Sequence, residues 1–148
     1  MSVEESAQYS QKLRIDKNFE PIPVDEGDEL YPNGIFEFNI TKIINYIENN
    51  LEAFRLEEVE VASFDRDFSS IDTNYIDSVQ NNTPVILAEI SPNQFNLIDG
   101  HHRMEKARRE ETKSLMAYKL YAHQHIAFLT SKKAYMAYVE YWNEKLRR

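Results

Sequence analysis

The sequence predicts an α+β fold built on a small mixed sheet, and three patterns of apolar residues indicate it. Short segments that alternate apolar and polar residues are typical of strands. Two longer segments have apolar residues every three or four positions, which is typical of helices. The third pattern is a change from strand to helix at Gly100, one of only three glycines in the chain. That change predicts a strand–Gly–helix turn of the kind that binds phosphate.

The clearest helix lies in the first half of the chain. Residues 39–54 read "NITKIINYIENNLEAF", and Asn39 is a suitable residue to cap the helix at its start. One face of this helix carries an apolar stripe that we expect to face the core, formed by Ile40, Ile43, Ile44, Ile47, Leu51 and Phe54.

Weaker patterns lie on both sides of this helix. Pro21 and Pro23 confine a strand-like segment to the edge of a sheet, because proline cannot donate a ladder hydrogen bond. The patterns predict an edge strand at 19–24, a loop at 25–34, a strand at 57–64 and a weak helix at 70–80.

The second half predicts a hairpin, a helix, a strand and a closing helix. The hairpin joins strands at 85–90 and 95–99 through the turn "SPNQ". A helix begins at 101, a strand covers 114–123, and a last helix covers 132–148. One face of the last helix is rich in aromatic residues, namely Tyr135, Tyr138 and Trp142 together with Val139.

Length and composition indicate one folded domain. The chain has 148 residues, of which 42% are hydrophobic, and we expect residues 1–18 to be disordered and residues 19–148 to form a single domain. No cysteine is present, which excludes disulfides, thiolate metal sites and cysteine nucleophiles. No apolar stretch is long enough for a membrane span, and we expect a cytoplasmic protein without a membrane partner.

Charge is distributed unevenly along the chain, whose formal net charge is −8. Residues 1–99 hold 6 basic and 20 acidic side chains, whereas residues 100–148 hold 11 basic and 5 acidic ones. The acidic total disfavours binding to long nucleic acids, because neutralising phosphates provides most of that affinity. A basic region can still recognise a single phosphate group, although it can equally be a solvated surface.

The turn "DGHHR", residues 99–103, holds most of the candidate ligand-binding residues of the sequence. A helix entered through Gly100 leaves its first backbone N–H groups available to an anion, and the helix dipole favours negative charge there. His101 and His102 add donors that titrate near neutral pH, and Arg103 is suited to a bidentate contact with phosphate. Asp99 is suited to binding Mg²⁺ or to accepting a proton. Asp-Gly also occurs in ordinary hairpin turns, so the residues alone leave both interpretations open.

A family resemblance favours the phosphate site. Residues 84–110, "PVILAEISPNQFNLIDGHHRMEKARRE", followed by "SLMAYKLY", resemble the core of the ParB/sulfiredoxin-like superfamily. The likeness consists of a hairpin, then (I/V)-(D/A)-G-x-x-R opening a helix, then a strand. In that superfamily the G-x-x-R turn binds nucleotide phosphates. Sulfiredoxins have a cysteine where this chain has His101, so sulfinic acid reduction is excluded.

The resemblance implies a nucleotide-binding domain that uses Mg²⁺ with ATP or CTP. Gly100, His101, His102 and Arg103 would bind the phosphates, and Asp99 would bind the metal. Asp99 and His102 would be the catalytic residues in nucleotide hydrolysis or phosphoryl transfer. Kinase-like relatives also use an upstream acid, for which Glu20, Glu26 and Glu29 are the candidates.

Two other hypotheses remain open from the sequence. The first is a metal-dependent, ParB-like nuclease with a cation among Asp99, His101 and His102. The second is a regulatory module without catalysis, which would bind a protein partner or a second copy through the aromatic last helix. A further metal pair, His123 with His125, requires that segment to be extended.

Overall fold

The computed structural model describes residues 11–33, 36–64 and 83–147. Within these ranges the chain forms six strands and four α-helices. The strands are β1 (Leu30–Asn33), β2 (Phe36–Asn39), β3 (Arg55–Glu60), β4 (Val85–Ser91), β5 (Gln94–Asp99) and β6 (Ser114–Leu120). The helices are α1 (Ile40–Asn49), α2 (His101–Arg109), α3 (Ala122–His125) and α4 (Lys132–Leu146).

The strands form two sheets, one of which is mixed. Strands β1 and β2 pair antiparallel as a separate hairpin. The larger sheet has the order β3-β6-β4-β5, in which β4 and β6 are parallel and the other two pairs are antiparallel. The predicted α+β class with a small mixed sheet is therefore confirmed.

The core lies on both faces of the larger sheet. On one face, alternate residues of β4 pack against α1 and α4 in a large cluster that includes Ile86, Ala88 and Trp142. On the other face, Val85 and Leu87 pack in a smaller cluster with α2. Strand β4 is thus buried on both sides, which explains its almost continuous apolar sequence. Helix α2, which opens at Gly100, is held by the smaller cluster.

Helix α1 forms where the apolar stripe predicts it but is shorter than expected. The Asn39 side chain caps its start by accepting a hydrogen bond from the N–H of Lys42 at 3.1 Å. Ile40, Ile43 and Ile47 are buried as predicted. The helix ends at Asn49 rather than near residue 54, and Leu51 of the predicted stripe is 56% exposed.

The aromatic face of α4 belongs to the core. Tyr135, Tyr138, Val139 and Trp142 are all buried, and Ser131 caps the helix by accepting from the N–H of Ala134 at 3.0 Å. Tyr138 and Trp142 therefore do not form the exposed aromatic surface that the regulatory-module hypothesis requires.

The first part of the described chain differs from the prediction. Residues 19–24 form no strand, and Ile22 instead donates its N–H to the carbonyl of Leu129 at 3.1 Å. The predicted loop at 25–34 contains β1, because four of its residues pair in register with β2. Residues 11–18, part of the segment 1–18 that was predicted to be disordered, contact α4, and residues 1–10 lie outside the described residues.

Two predicted strands have different bounds in the structure, and one predicted helix lies outside the described residues. The strand expected at 57–64 runs from Arg55 to Glu60 and is followed by a single 3₁₀ turn. The strand expected at 114–123 stops at Leu120, because the next residues form α3. The weak helix predicted at 70–80 lies outside the described residues. Among the helices that the structure does describe, none is both long and apolar enough to cross a membrane.

Candidate functional site

The turn between β5 and α2 has the geometry of an uncapped helix start. Gly100 adopts a left-handed conformation, with φ 102° and ψ 24°, and its carbonyl accepts the N–H of Met104 at 2.9 Å. Glycine has no side chain that could cap the helix, so its first N–H groups must bond to something else. These donors and the helix dipole together favour an anion at this position.

Packing onto β4 is a second reason for glycine at this position. A Cβ atom placed on Gly100 would lie 2.5 Å from Cγ1 and 2.9 Å from Cβ of Val85, and 3.0 Å from Nη2 of Arg103. The turn therefore lies directly against the first residue of β4. Any larger residue would separate helix α2 from the sheet or displace Arg103.

Arg103 lies over the turn in an ion pair with Asp99. Its Nη2 is 3.1 Å from Oδ2 of Asp99 and 3.3 Å from the carbonyl oxygen of Pro84. The side chains of Arg103 and Asp99 are 19% and 18% exposed, respectively. Nε of Arg103 is buried and has no hydrogen-bond partner among the residues that the structure describes. Because this nitrogen is shielded from solvent, a ligand could bond to it only if the side chain moved.

Glu29 is the upstream acid that the structure brings to the turn. Partial burial raises the pKa of the Glu29 carboxyl above its ordinary value, and the nearby Asp99 carboxylate raises it further. Arg103 and His102 oppose this rise, so all three of these side chains lie close enough to Glu29 to act on its charge. Glu29, one of the three candidate upstream acids, therefore lies near the turn.

The position of Glu29 follows from the hairpin β1–β2 and from helix α1. The N–H of Glu29 donates to Oγ1 of Thr41 at 2.7 Å, and its carbonyl accepts the N–H of Ile40 at 2.8 Å. The start of α1 thus fixes the residue that precedes β1. Because β1 was predicted as part of a loop, the sequence contained no signal for this placement.

Strand β1 also places an aromatic ring on the turn. The rings of Tyr31 and His101 are stacked, with centroids 5.0 Å apart and an angle of 25° between their planes. Glu29 and Tyr31 are two residues apart, so their side chains point to the same side of the extended chain. The turn is thus bordered by the hairpin β1–β2 on one side and by β4 on the other.

The site contains two neighbouring carboxyl groups but no complete protein metal centre. In the described ranges, no group of three or more histidine, aspartate or glutamate residues is arranged to hold a metal ion. Asp99 and Glu29 could supply two oxygen ligands to Mg²⁺, which commonly takes its remaining ligands from water and phosphate. Two carboxyl groups alone do not make a protein metal centre, so any cation here would take most of its ligands from outside the chain.

His123 and His125, which could pair on a metal only in an extended segment, do not converge. Both residues lie in the helix α3, not in an extended segment. His125 is fully buried, and its Nε2 lies 2.6 Å from the carbonyl oxygen of Glu89, whereas His123 is exposed. Residues two apart on a helix point to different sides, so the two rings do not converge.

The structure contains a buried polar cluster around Glu89 that was not predicted from the sequence. The Glu89 carboxylate accepts the N–H groups of Asn93 and Ala122 at 3.0 and 3.1 Å. Its backbone carbonyl accepts from the Tyr138 hydroxyl at 2.7 Å and bonds to His125. Burial raises the pKa of the Glu89 carboxyl, and the two N–H donors partly oppose this rise. The feature that could have indicated this cluster is the single glutamate inside the apolar segment "VILAEI".

The polar cluster around Glu89 has a structural role. Burial lowers the pKa of His125 to about 4 and raises the pKa of Tyr138 above its ordinary value, so both rings are neutral at pH 7. Their hydrogen bonds join β4 to α3 and α4. The cluster therefore connects α3 and α4 to the sheet.

Comparison of the chain with protein-family models, with curated proteins and with solved structures finds no match.

Proposed function

We propose that the turn from Asp99 to Arg103 binds the phosphate groups of a nucleotide. The observation that carries the proposal is a helix of nine residues entered through a left-handed glycine, with an arginine in its first turn that has an unused buried donor. Backbone N–H groups of Gly100, His101 and His102 donate to phosphate oxygens, and Arg103 neutralises their charge.

The order of elements supports the resemblance to the ParB/sulfiredoxin-like superfamily. Between residues 85 and 120 the chain runs through a hairpin, a glycine turn, a helix and a strand, which is the order that the resemblance implies. The glycine and the arginine of G-x-x-R are three residues apart across the helix start.

Mg²⁺ is the cofactor that we propose for the two carboxyl groups. Asp99 and Glu29 hold the ion, and the ion supplies the positive charge that offsets the repulsion between carboxylates and phosphates. The chain's own contribution is to orient the phosphates on α2 and to keep His102 beside them. If turnover occurs, it is phosphoryl transfer or nucleotide hydrolysis with Asp99 and His102 as the catalytic residues, and it relies on positioning and charge stabilisation.

A thermal-shift screen of wild type and Arg103→Ala tests the proposal. The ligands are ATP, ADP, CTP, GTP and inorganic phosphate, each with and without Mg²⁺. A nucleotide at 100 times its dissociation constant stabilises the folded state by about 2.7 kcal/mol, and we expect this stabilisation to disappear in Arg103→Ala. Lys133→Ala removes one positive charge from an exposed position of α4 and is expected to retain it.

The screen can be interpreted only if Arg103→Ala is folded in the absence of ligand. Arg103→Ala breaks an ion pair whose side chains are 19% and 18% exposed, so its cost lies between about 1 kcal/mol for an exposed pair and about 3 to 5 kcal/mol for a buried one. The variant is expected to fold, and circular dichroism without ligand checks this before the screen. A wild-type protein that no nucleotide stabilises, or an Arg103→Ala variant that is stabilised equally, would contradict the proposed function.

Asp99→Asn separates the two roles of this carboxylate. Because Asp99 pairs with Arg103 and repels anions, the amide is expected to raise affinity for inorganic phosphate without metal about threefold or more. Because Asp99 also holds Mg²⁺, the same variant is expected to lose at least tenfold in affinity for the Mg²⁺–nucleotide complex. Isothermal titration calorimetry measures both constants. Equal changes in the two affinities would remove Asp99 as a metal ligand.

A further inference from the structure

Strand β3 forms an open edge of the larger sheet. The order β3-β6-β4-β5 leaves β3 and β5 at the two edges, and β5 is contacted by β1 of the separate hairpin. On the outer side of β3, residues 56–60 form no backbone hydrogen bond with any other segment that the structure describes. The outward N–H and C=O groups of this strand can therefore pair with an added strand.

One face of this edge carries two exposed apolar side chains. Leu56 and Met116 are 46% and 42% exposed, and the register between β3 and β6 places Glu58 opposite Met116. Because side chains alternate along a strand, Leu56 lies on the same face as Glu58 and diagonally across from Met116. An apolar side chain of an added strand would cover this pair.

Two glutamates of the same face lack a charge partner. Glu57, on the opposite face, pairs with Arg55 and Lys119 at 2.8 and 2.5 Å. Glu58 and Glu60 are exposed, and neither forms an ion pair with another described residue. This face of the edge is therefore negative, and cationic side chains of an added strand would complement it.

A pocket of about 600 Å³ at the end of β3 extends the negative surface. Its charged lining consists of three glutamates and two basic residues, namely Glu58, Glu60, Glu111, Arg108 and Lys113. The Arg108 guanidinium is already bonded to the Glu105 carboxylate and to the carbonyl of Phe64. Three carboxylates therefore face the single ammonium of Lys113, and the pocket has room for a lysine or arginine side chain.

The same glutamates disfavour a second copy of the chain as the partner. Two β3 strands related by a twofold axis keep their side chains on matching faces only when one residue lies opposite its own copy. In the two such registers with the greatest overlap that residue is Glu57 or Glu58, and like charges directly opposite each other are destabilising. The complementary partner is therefore a different chain with basic side chains.

We propose that the outer edge of β3 binds an extended basic segment of a partner protein, which adds to the four-stranded sheet as a further strand. Main-chain hydrogen bonds hold the segment along residues 56–60. Its lysine or arginine side chains lie beside Glu58 and Glu60, and an apolar side chain lies beside Leu56. This edge is opposite to β5, the strand that leads into the turn at Gly100, so the proposal does not depend on phosphate binding there.

Two labelled peptides test the proposal in the full-length protein. Each has a leucine followed, two and four positions away, by lysines, with threonines between them, and the second peptide reverses this order so that parallel and antiparallel pairing are both covered. We expect one of them to bind wild type, and we expect Glu58→Lys with Glu60→Lys to weaken that binding at least tenfold. The matched control, Glu48→Lys with Glu52→Lys, changes the net charge equally at exposed positions outside the sheet and is expected to leave the affinity unchanged. Fluorescence anisotropy gives the dissociation constants.

Methylation of the peptide backbone distinguishes an added strand from a purely electrostatic contact. Alternate N–H groups of a strand point to opposite edges, so we expect N-methylation of either the leucine and lysines or the threonines, but not of both sets, to weaken binding to wild type at least tenfold. Equal effects of the two methylation patterns would overturn the proposal. So would binding that Glu58→Lys with Glu60→Lys reduces no more than the control variant does, or no binding of either peptide to wild type. The methylated peptides are titrated into wild type, so this result stands even if the lysine variant does not fold, as judged by circular dichroism.

Discussion

Replacing Gly100 by alanine is expected to destabilise the protein by about 2 to 5 kcal/mol. Two independent costs add at this residue. A side chain at positive φ costs about 1 to 2 kcal/mol, and forcing extra volume into a packed contact costs about 1 to 3 kcal/mol. The second cost arises because the new Cβ would lie 2.5 Å from Cγ1 of Val85. Urea denaturation followed by circular dichroism measures the change.

Gly27→Ala is the matched control for this prediction. Gly27 also has positive φ, at 88°, but no described atom lies within 4 Å of a Cβ built on it. Its replacement therefore carries only the conformational cost, about 1 to 2 kcal/mol. The difference between the two variants isolates the contact with Val85. If Gly100→Ala costs no more than Gly27→Ala, the close packing of the turn onto β4 is wrong.

Acidification is expected to unfold the protein partly through His125. The pKa of this ring is lowered from 6.5 to about 4 by burial, and its Nδ1 has no hydrogen-bond partner among the described residues. The unfolded chain therefore binds more protons than the folded one between pH 6.5 and 4, so stability falls as pH falls through that window. Each unit of pKa corresponds to 1.36 kcal/mol, which gives a loss of about 2 kcal/mol at pH 5 and about 3 kcal/mol near pH 4.

His125→Gln tests this effect because glutamine keeps a donor for the Glu89 carbonyl and does not titrate. We expect wild type to lose about 2 kcal/mol more than the variant between pH 7.5 and pH 5, as measured by urea denaturation. Glu89 has a raised pKa and opposes the trend near its own titration, but it is present in both proteins and cancels in the comparison. Parallel pH profiles for the two proteins would show that His125 does not determine acid sensitivity.

Local patterns predicted the elements around the candidate site well. The hairpin β4–β5, the helix α2 and the helix α4 follow from apolar periodicity and from turn residues, which act over a few positions of the chain. Helix α1 begins at its predicted cap, Asn39. It ends at Asn49 because Asn50 leaves the helical conformation, with φ −144° and ψ 43°. Phe54, the last residue of the predicted stripe, is buried although it lies beyond the helix.

Contacts between distant residues could not be predicted in the same way. Strand β1 forms because it pairs with β2, not because its own sequence, "LYPN", favours a strand. Its pairing is what brings Glu29 and Tyr31 to the turn at Gly100. The strand expected at 114–123 stops early because Tyr121 begins α3, where the Gln124 side chain accepts its N–H at 2.9 Å. The pattern of alternating apolar residues, from which the strand was predicted, contains no information about this hydrogen bond.

The sequence indicated which residues form the turn, but it did not predict the contacts that these residues make in the free protein. Arg103 was expected to reach a ligand, whereas its Nη2 bonds to Asp99 and to the Pro84 carbonyl. Gly100 was expected to leave room for a ligand, and it also leaves room for Val85. A ligand must therefore compete with, or share, contacts that the free protein already makes.

We propose that backbone N–H groups at the start of α2 bind phosphate, and amide chemical shifts report such binding residue by residue. Two-dimensional ¹H–¹⁵N spectra are recorded while ATP, CTP or GTP is added with Mg²⁺. We expect the largest shifts at the amides of Gly100, His101, His102 and Arg103, and we expect Arg103→Ala to remove them. Spectra that do not change with any of the three nucleotides, or shifts confined to residues away from this turn, would contradict it.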